Sequence, residues 1–243
     1  MELDGRVALV TGAGRRVGRA IALRLAQAGC RLAVHYLHSQ TQARATAEQC
    51  SAAGAQAEVF RADLGEPAAA RQLPQDVLAR FGRLDVLVNN ASVFERMTLD
   101  EFDPHRWERT LRINLTAPML LTCAAREALR KAGGRVINLC DAAVGRPRPD
   151  HLAYVVSKGA LETLTRVLSR ALAPDVNVVG IAPGAAAWPE HYDERTRARM
   201  EARIPLGRAG TPADIAAAVH FVLSEGDYIT GAILPVDGGR HLV

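Results

Sequence analysis

Tyr154 and Lys158 stand four residues apart in Tyr154-Val155-Val156-Ser157-Lys158, the spacing that puts two side chains on one face of a helix. Their chemistry would be proton transfer. A free phenol has a pKa of about 10, too high for acid–base work at neutral pH. An ammonium about 4 Å away is worth about 4 kcal/mol at an effective dielectric of about 20. That is enough to bring the phenol down by up to about three units, into a useful range. The lysine stands out, because of 30 basic residues only Lys131 and Lys158 are lysine, and a compact ammonium also suits a ribose. Asp141 lies 13 residues before Tyr154, directly after a strand-like run. Asn114, in Arg112-Ile113-Asn114-Leu115, sits inside a helical stretch, where asparagine is a poor helix former. A role in holding a water is expected of it.

A Tyr-x-x-x-Lys pattern gains weight only beside a second one. Thr11-Gly12-Ala13-Gly14-Arg15-Arg16-Val17-Gly18 falls between the first strand-like run and the first helical pattern. There, glycine lets the backbone approach a pyrophosphate, and the helix N-terminus offers free N–H groups and a favourable dipole. Sites for NAD usually carry an acid about 20 residues further on, for the ribose 2′-hydroxyl. Here the second strand ends in His35-Tyr36-Leu37-His38-Ser39, without an acid. Arg15, His38 and Ser39 would serve a 2′-phosphate instead, so the expected cofactor is NADPH. Asp63, in Ala62-Asp63-Leu64, follows the third strand and would bond the adenine or cap the next helix. Asn89-Asn90-Ala91 closes the fourth strand, at the edge where ligands bind in such sheets.

The elements that must position these residues alternate along the chain. Strand-like runs cover 6–10, 32–36, 57–60, 84–88, 134–139, 176–181 and 232–236. Helical patterns cover the stretch through Ile21 to Ala26, then 40–53, 67–81, 104–131, 153–172 and 212–224, with a loop and helix region over 184–203. Apolar strands separated by helices imply a parallel sheet covered on both faces. The expected fold class is α/β, a single doubly wound Rossmann-type domain over residues 1–243 with about seven strands.

Composition excludes other classes. No apolar run approaches the roughly 20 residues that span a bilayer. The acidic start shows no signal peptide, so a cytoplasmic location is expected. The net charge of +4 comes from arginines interleaved with acids, a solvated surface rather than a nucleic-acid groove. Cys30, Cys50, Cys123 and Cys140 lack CxxC spacing, and no His/Cys cluster has zinc-ligand spacing, so neither disulfides nor a metal is expected.

Taken together, the Thr11 to Gly18 turn, Asn89-Asn90-Ala91, Asn114, Tyr154 with Lys158, and Pro183-Gly184 after the sixth strand resemble the short-chain dehydrogenase/reductase family over essentially the whole chain. Two departures narrow the resemblance. Arg16 stands where the family usually has glycine, and Asp141 where it usually has serine. Both are similar to the pteridine reductase branch, as are Asn90-Ala91-Ser92-Val93-Phe94, His35-Tyr36 with Ser39, and Asp237-Gly238-Gly239-Arg240-His241-Leu242. The resemblance implies NADPH-dependent reduction of dihydrobiopterin, dihydromonapterin or dihydrofolate. It gives Tyr154 proton delivery together with Asp141, and gives Lys158 the tuning of Tyr154 and the nicotinamide ribose. Phe94 would stack the pterin, Ser92 would contact substrate or cofactor, and Arg16 would reach phosphates and pterin. Gly12, Val17, Gly18, Leu64, Asn90, Ala91, Pro183 and Gly184 complete the implied cofactor site. A substrate lid over 184–203, with Trp188 and Tyr192, and a homotetramer with Arg240 as a site contributor are implied as well. The competing readings are a carbonyl reductase such as a 3-oxoacyl-carrier-protein reductase, which Asp141 and Arg16 oppose, and a non-catalytic NADPH-binding regulator, which the Asn114, Tyr154 and Lys158 set opposes.

Overall fold

Short apolar runs become strands, fully buried at the centre of the sheet and partly exposed at its two edges, and the intervening stretches become helices that cover them. In the computed structural model, residues 1–186 and 193–243 are described. The elements are β1 (Val7–Val10), α1 (Arg16–Gln27), β2 (Arg31–Tyr36), α2 (Gln40–Ala52), β3 (Ala57–Arg61), α3 (Pro67–Phe81) and β4 (Val86–Asn89). They continue with α4 (Pro104–Leu111), α5 (Ala117–Ala132), β5 (Arg135–Leu139), α6 (Leu152–Ala171), β6 (Asn177–Pro183), α7 (Glu194–Glu201), α8 (Pro212–Ser224) and β7 (Ile233–Val236). The strands form one seven-stranded sheet in the order β3-β2-β1-β4-β5-β6-β7, every pair parallel.

Two apolar layers sandwich the sheet. Ile21, Leu25, Val34, Ile137, Ile215 and Val219 belong to one, and Leu9, Leu73, Leu87, Leu121, Val136 and Leu168 to the other. Side chains alternate across a strand, so Val136 and Ile137 of β5 feed opposite layers. The strand order reverses between β1 and β4, and the crevice outside the carboxyl ends of the strands at such a switch is where these folds bind ligands. The turns after β1, β4, β5 and β6 all open there.

The sequence pattern predicts one helical stretch over 104–131, and the structure breaks it. A π turn over Arg112–Thr116 separates α4 from α5. Such a turn adds a residue to the helix and often marks a functional site. Here it carries Asn114, the residue least suited to an ordinary helix interior. No helix among the described residues is long and apolar enough to cross a membrane.

Candidate active site

The glycine turn is braced from two sides. Asn90 donates its side-chain amide to Thr11 O at 2.7 Å and Gly12 O at 3.3 Å. The Thr11 hydroxyl accepts the backbone N–H groups of Asn90 and Ala91, both at 2.9 Å. Gly12 has φ +64, and a Cβ on Gly18 would lie 2.4 Å from Gly12 O, so this close turn requires glycine at both places. No side chain caps the N-terminus of α1. Its first amides therefore remain available to a phosphate, and the turn fits a dinucleotide. Arg15 and Arg16 are exposed on it. Arg16 has φ +50, a left-handed backbone that costs a non-glycine residue about 1–2 kcal/mol. Strain of this kind clusters at ligand sites, and here it sits on the phosphate turn.

Two expected cofactor contacts are corrected. The His35 side chain is buried beneath the turn, only 2% exposed. Its Nδ1 accepts the Gly12 N–H at 3.0 Å, and Nε2 lies 3.1 Å from Ala62 O. Nδ1 is therefore unprotonated and the ring braces the turn rather than facing a phosphate. Tyr36 is also buried and packs in the core. His38 is exposed and Ser39 half-buried at the end of β2, and Ser39 caps α2 without a side-chain bond. Asp63 accepts Gly65 N–H at 2.8 Å in a turn of its own, and the N-cap position of α3 belongs to Glu66, whose side chain makes no capping bond. Asp63 is thus not the helix cap. The Leu64 side chain packs in the core, so only its backbone can meet an adenine. Val17 is half-buried behind the turn, and Pro183 and Gly184 end β6 at the same crevice.

Burial lowers the His35 pKa from its ordinary 6.5 to about 4. The unfolded chain takes up a proton below pH 6.5 that the fold refuses until about pH 4. His35 therefore supports stability fully above 6.5, and that support drains away as pH falls to 4. The difference corresponds to about 3 kcal/mol. His35→Asn, which keeps an acceptor near Nδ1, is expected to lose less stability between pH 7 and pH 4.5 in urea unfolding than the parent chain. Equal losses would remove His35 as the cause.

The reacting end is built where β5, α6 and the loop after β4 meet. α6 turns Tyr154, Lys158, Leu161 and Thr165 to its buried face. The Tyr154 hydroxyl donates to Asp141 Oδ2 at 2.5 Å, and Asp141 Oδ1 accepts the Ala143 N–H at 2.7 Å. Lys158, 4% exposed, donates to Leu139 O at 2.6 Å. Its Nζ sits 5.7 Å from the centroid of the Tyr154 ring, a cation–π distance.

This arrangement overturns the expected direction of the tyrosine shift. Burial, together with the charge and hydrogen bond of Asp141, pushes the Tyr154 pKa well above 10. Burial also lowers Lys158. The ammonium gives one of its three N–H groups to a backbone carbonyl and faces the ring, whereas the carboxylate sits on the hydroxyl. Tyr154 therefore holds its proton firmly and aims it at Asp141.

Asn114 also departs from expectation. Its amide donates to Val93 O and Ser157 Oγ, both at 3.0 Å. Its oxygen accepts from Val93 N at 2.9 Å and Ser92 Oγ at 3.1 Å. The side chain has two donors and one acceptor oxygen with two lone pairs, so protein groups satisfy it completely. It ties the loop after β4 to α6, and the side chain is not left for a water. That loop carries Phe94, which is 54% exposed and so does not pack in the core. Phe94 stacks on His151, with centroids 4.2 Å apart at 18°, and meets Tyr154 edge-on at 4.6 Å.

His151 escaped the sequence reading. Its signal was there: it lies three residues before Tyr154 on the entry to α6, hence on the same face. Met97 and His151 form a parallel bridge that clips the Phe94 loop to that entry.

A cavity of about 1010 Å³ opens beside this group, lined by Phe94, Asp141, His151, Tyr154, Gly184 and Arg240 among others. Met200, Ala202 and Arg203 also line it, so the described part of the expected lid borders the cavity. Trp188 and Tyr192 fall outside the described residues. Arg240 lines the cavity of its own chain. The described residues contain no cluster able to hold a metal.

A glycine turn at the switch point of a doubly wound sheet, with a buried tyrosine–lysine pair at the adjoining cavity, defines an NAD(P)-dependent oxidoreductase. Residues 12–241 match the family model described as Enoyl-(Acyl carrier protein) reductase, and the chain belongs to the short-chain dehydrogenase/reductase family. A blue fluorescent protein from a metagenomic library, solved in complex with NADPH, is 36% identical with a TM-score of 0.92, covering 99% of each chain. FolM alternative dihydrofolate reductase 1 from Brucella canis, complexed with NADP, is 33% identical with a TM-score of 0.93, covering 100% of this chain and 96% of its own. The 3-oxoacyl-[acyl-carrier-protein] reductase FabG of Staphylococcus aureus is 33% identical over 97% of this chain and 98% of its own.

Proposed function

We propose that this protein is an NADPH-dependent reductase of dihydropterins or dihydrofolate. The observation that carries the reading is the Asp141 carboxylate on the Tyr154 hydroxyl. A ketone reductase gains from a hydroxyl at that place, because a hydroxyl donates to the carbonyl oxygen. An ionised carboxylate only accepts, and it would repel the charge growing on that oxygen. A pteridine presents the opposite need. Its amino-pyrimidine edge offers N–H donors to a carboxylate, and its C=N bond requires a proton on nitrogen. The likeness to a FolM alternative dihydrofolate reductase supports this choice, and the likeness to FabG favours the carbonyl alternative.

When bound, NADPH supplies the hydride that converts C=N to CH–N. The chain supplies the rest. In this reading the amino-pyrimidine edge takes up the Asp141 carboxylate, which removes the acceptor that holds the Tyr154 proton. Tyr154 then delivers that proton to the ring nitrogen, and Asp141, half-buried at the cavity wall, relays its replacement. Lys158 backs the tyrosine ring and holds the nicotinamide ribose. Phe94 offers an aromatic face to the pteridine. Ser92 and Arg16 contact substrate and cofactor phosphates, and Asn114 fixes the loop that carries Ser92 and Phe94. Arg15, His38 and Ser39 receive the 2′-phosphate, since no acid stands at the end of β2. The functional unit in this reading is a homotetramer.

The test follows NADPH absorbance with dihydrobiopterin, dihydromonapterin, dihydrofolate or an acetoacetyl thioester. Turnover of at least one pteridine is expected, with kcat/KM for NADPH well above that for NADH. Turnover of the thioester alone would sink the pteridine reading.

A further inference from the structure

We infer that His151 is a positioning residue of this site: it fixes the side-chain rotamer of Phe94 and thereby sets the flat wall against which the substrate ring lies. The inference rests on the reading of Phe94 as the aromatic face for the pteridine.

Phe94 needs such a partner because its surroundings do not hold it. A core phenylalanine is fixed by packing on all sides, whereas this one is 54% exposed and lines the cavity. Its backbone is pinned before and after. Asn114 holds both the N–H and the C=O of Val93. Met97 is tied to the entry of α6, donating to Asp150 O at 2.9 Å and accepting from Leu152 N at 3.1 Å. These bonds leave the Phe94 ring free to turn about its own side-chain bonds. A half-exposed side chain left to itself populates several rotamers, and a wall that moves between them orients nothing.

His151 removes that freedom. Its ring lies nearly parallel to one face of Phe94, 4.2 Å between centroids at 18°, while Tyr154 abuts the edge at 4.6 Å and 86°. Aromatic pairs in these two arrangements gain more than their buried area alone. With one face covered and one edge abutted, the remaining face is the one Phe94 presents to the cavity.

The imidazole is itself held. His151 is 7% exposed and sits at the start of α6, where its carbonyl accepts the Val155 N–H at 3.0 Å. Its Nδ1 lies 2.9 Å from Asp150 Oδ1, a polar contact without the alignment of a full hydrogen bond. Asp150 in turn accepts two hydrogen bonds from the Arg148 guanidinium, at 3.1 and 2.8 Å, and Arg148 holds its carboxyl well below the usual carboxylate range. Support therefore runs from Arg148 to Asp150, then to His151, then to Phe94. Histidine suits the third place because it has a flat face for one neighbour and a polar edge for the other.

The test labels the chain's five phenylalanines with 4-fluorophenylalanine and assigns the Phe94 fluorine NMR signal by its loss in Phe94→Leu. His151→Leu fills the same space without a flat face. It is expected to shift the Phe94 signal and to raise KM for dihydrobiopterin or dihydrofolate about three- to tenfold, with kcat changed less than about twofold. NADPH affinity and Tm are expected to stay at parent values, which a merely structural role would move. His151→Phe, which restores the flat face, is expected to return both the signal and KM toward the parent. In a Phe94→Leu background, His151→Leu is expected to add less than about twofold to KM, since its route to the substrate is already gone. A Phe94 signal unmoved by His151→Leu overturns the inference. So does a rise in KM that keeps its full size in the Phe94→Leu background, because His151 then acts on the substrate directly. A parent chain that reduces only an acetoacetyl thioester overturns the pteridine reading, and the fluorine signal, which needs no substrate, then decides the hold of His151 on Phe94 by itself.

Discussion

Tyr154→Phe is expected to lower kcat by roughly 10²- to 10⁴-fold, the usual contribution of a positioned proton donor, while NADPH affinity changes little. The substitution removes one oxygen. It leaves the ring under Lys158 and against the edge of Phe94, so the packing of α6 survives. What disappears is the proton aimed at Asp141. Stopped-flow or steady-state NADPH oxidation gives the rate, and NADPH fluorescence titration gives the affinity. A variant as fast as the parent would take Tyr154 out of the chemistry. A variant that loses affinity and rate together would show that the phenol holds cofactor rather than moving a proton.

Asp141→Ser carries the second large effect, because it exchanges the residue on which substrate class depends. Pteridine turnover is expected to fall by about 100-fold or more, since the carboxylate that orients the Tyr154 proton and meets the amino-pyrimidine edge is gone. Reduction of a ketone or thioester substrate is expected to rise from its parent value, because the new hydroxyl donates to a carbonyl oxygen. The backbone should tolerate the change: Asp141 caps the short turn Ala142–Gly145 by accepting the Ala143 N–H, and serine is an equally good cap. Activities with both substrate classes, measured on one preparation, decide the matter. Pteridine turnover within a few-fold of the parent would remove Asp141 as the determinant and bring the carbonyl reading forward.

The sequence made the frame legible because the frame is local. Each strand is a run of apolar residues, the glycine turn lies between β1 and α1, and the register of Tyr154 with Lys158 follows from helix geometry alone. Distant contacts decided the remainder. His35 reads as a polar strand end beside a phosphate, and only the packing of β3 and the turn after β1 around it shows why it is neutral and buried. The π turn cannot be seen in Arg112-Ile113-Asn114-Leu115, since it exists to let Asn114 reach Val93 and Ser157. The direction of the tyrosine shift is hidden in the sequence for the same reason. Spacing puts Lys158 near Tyr154, but the Leu139 carbonyl decides where the ammonium points. Phe94 and His151, 57 positions apart in the numbering, become a stacked pair through the bridge between Met97 and His151.

The burial of Lys158 has a practical side. With only two lysines in the chain, it leaves Lys131, exposed near the end of α5, as the one lysine open to an amine-reactive linker. Lys131 precedes β5, and Asp141 follows it. The strand's 5 residues separate the two edges of the sheet by roughly 16 Å at about 3.3 Å per residue. A tether placed there grips the molecule by its base and leaves the mouth of the cavity turned outward, so the protein carries a built-in handle for oriented attachment to a surface.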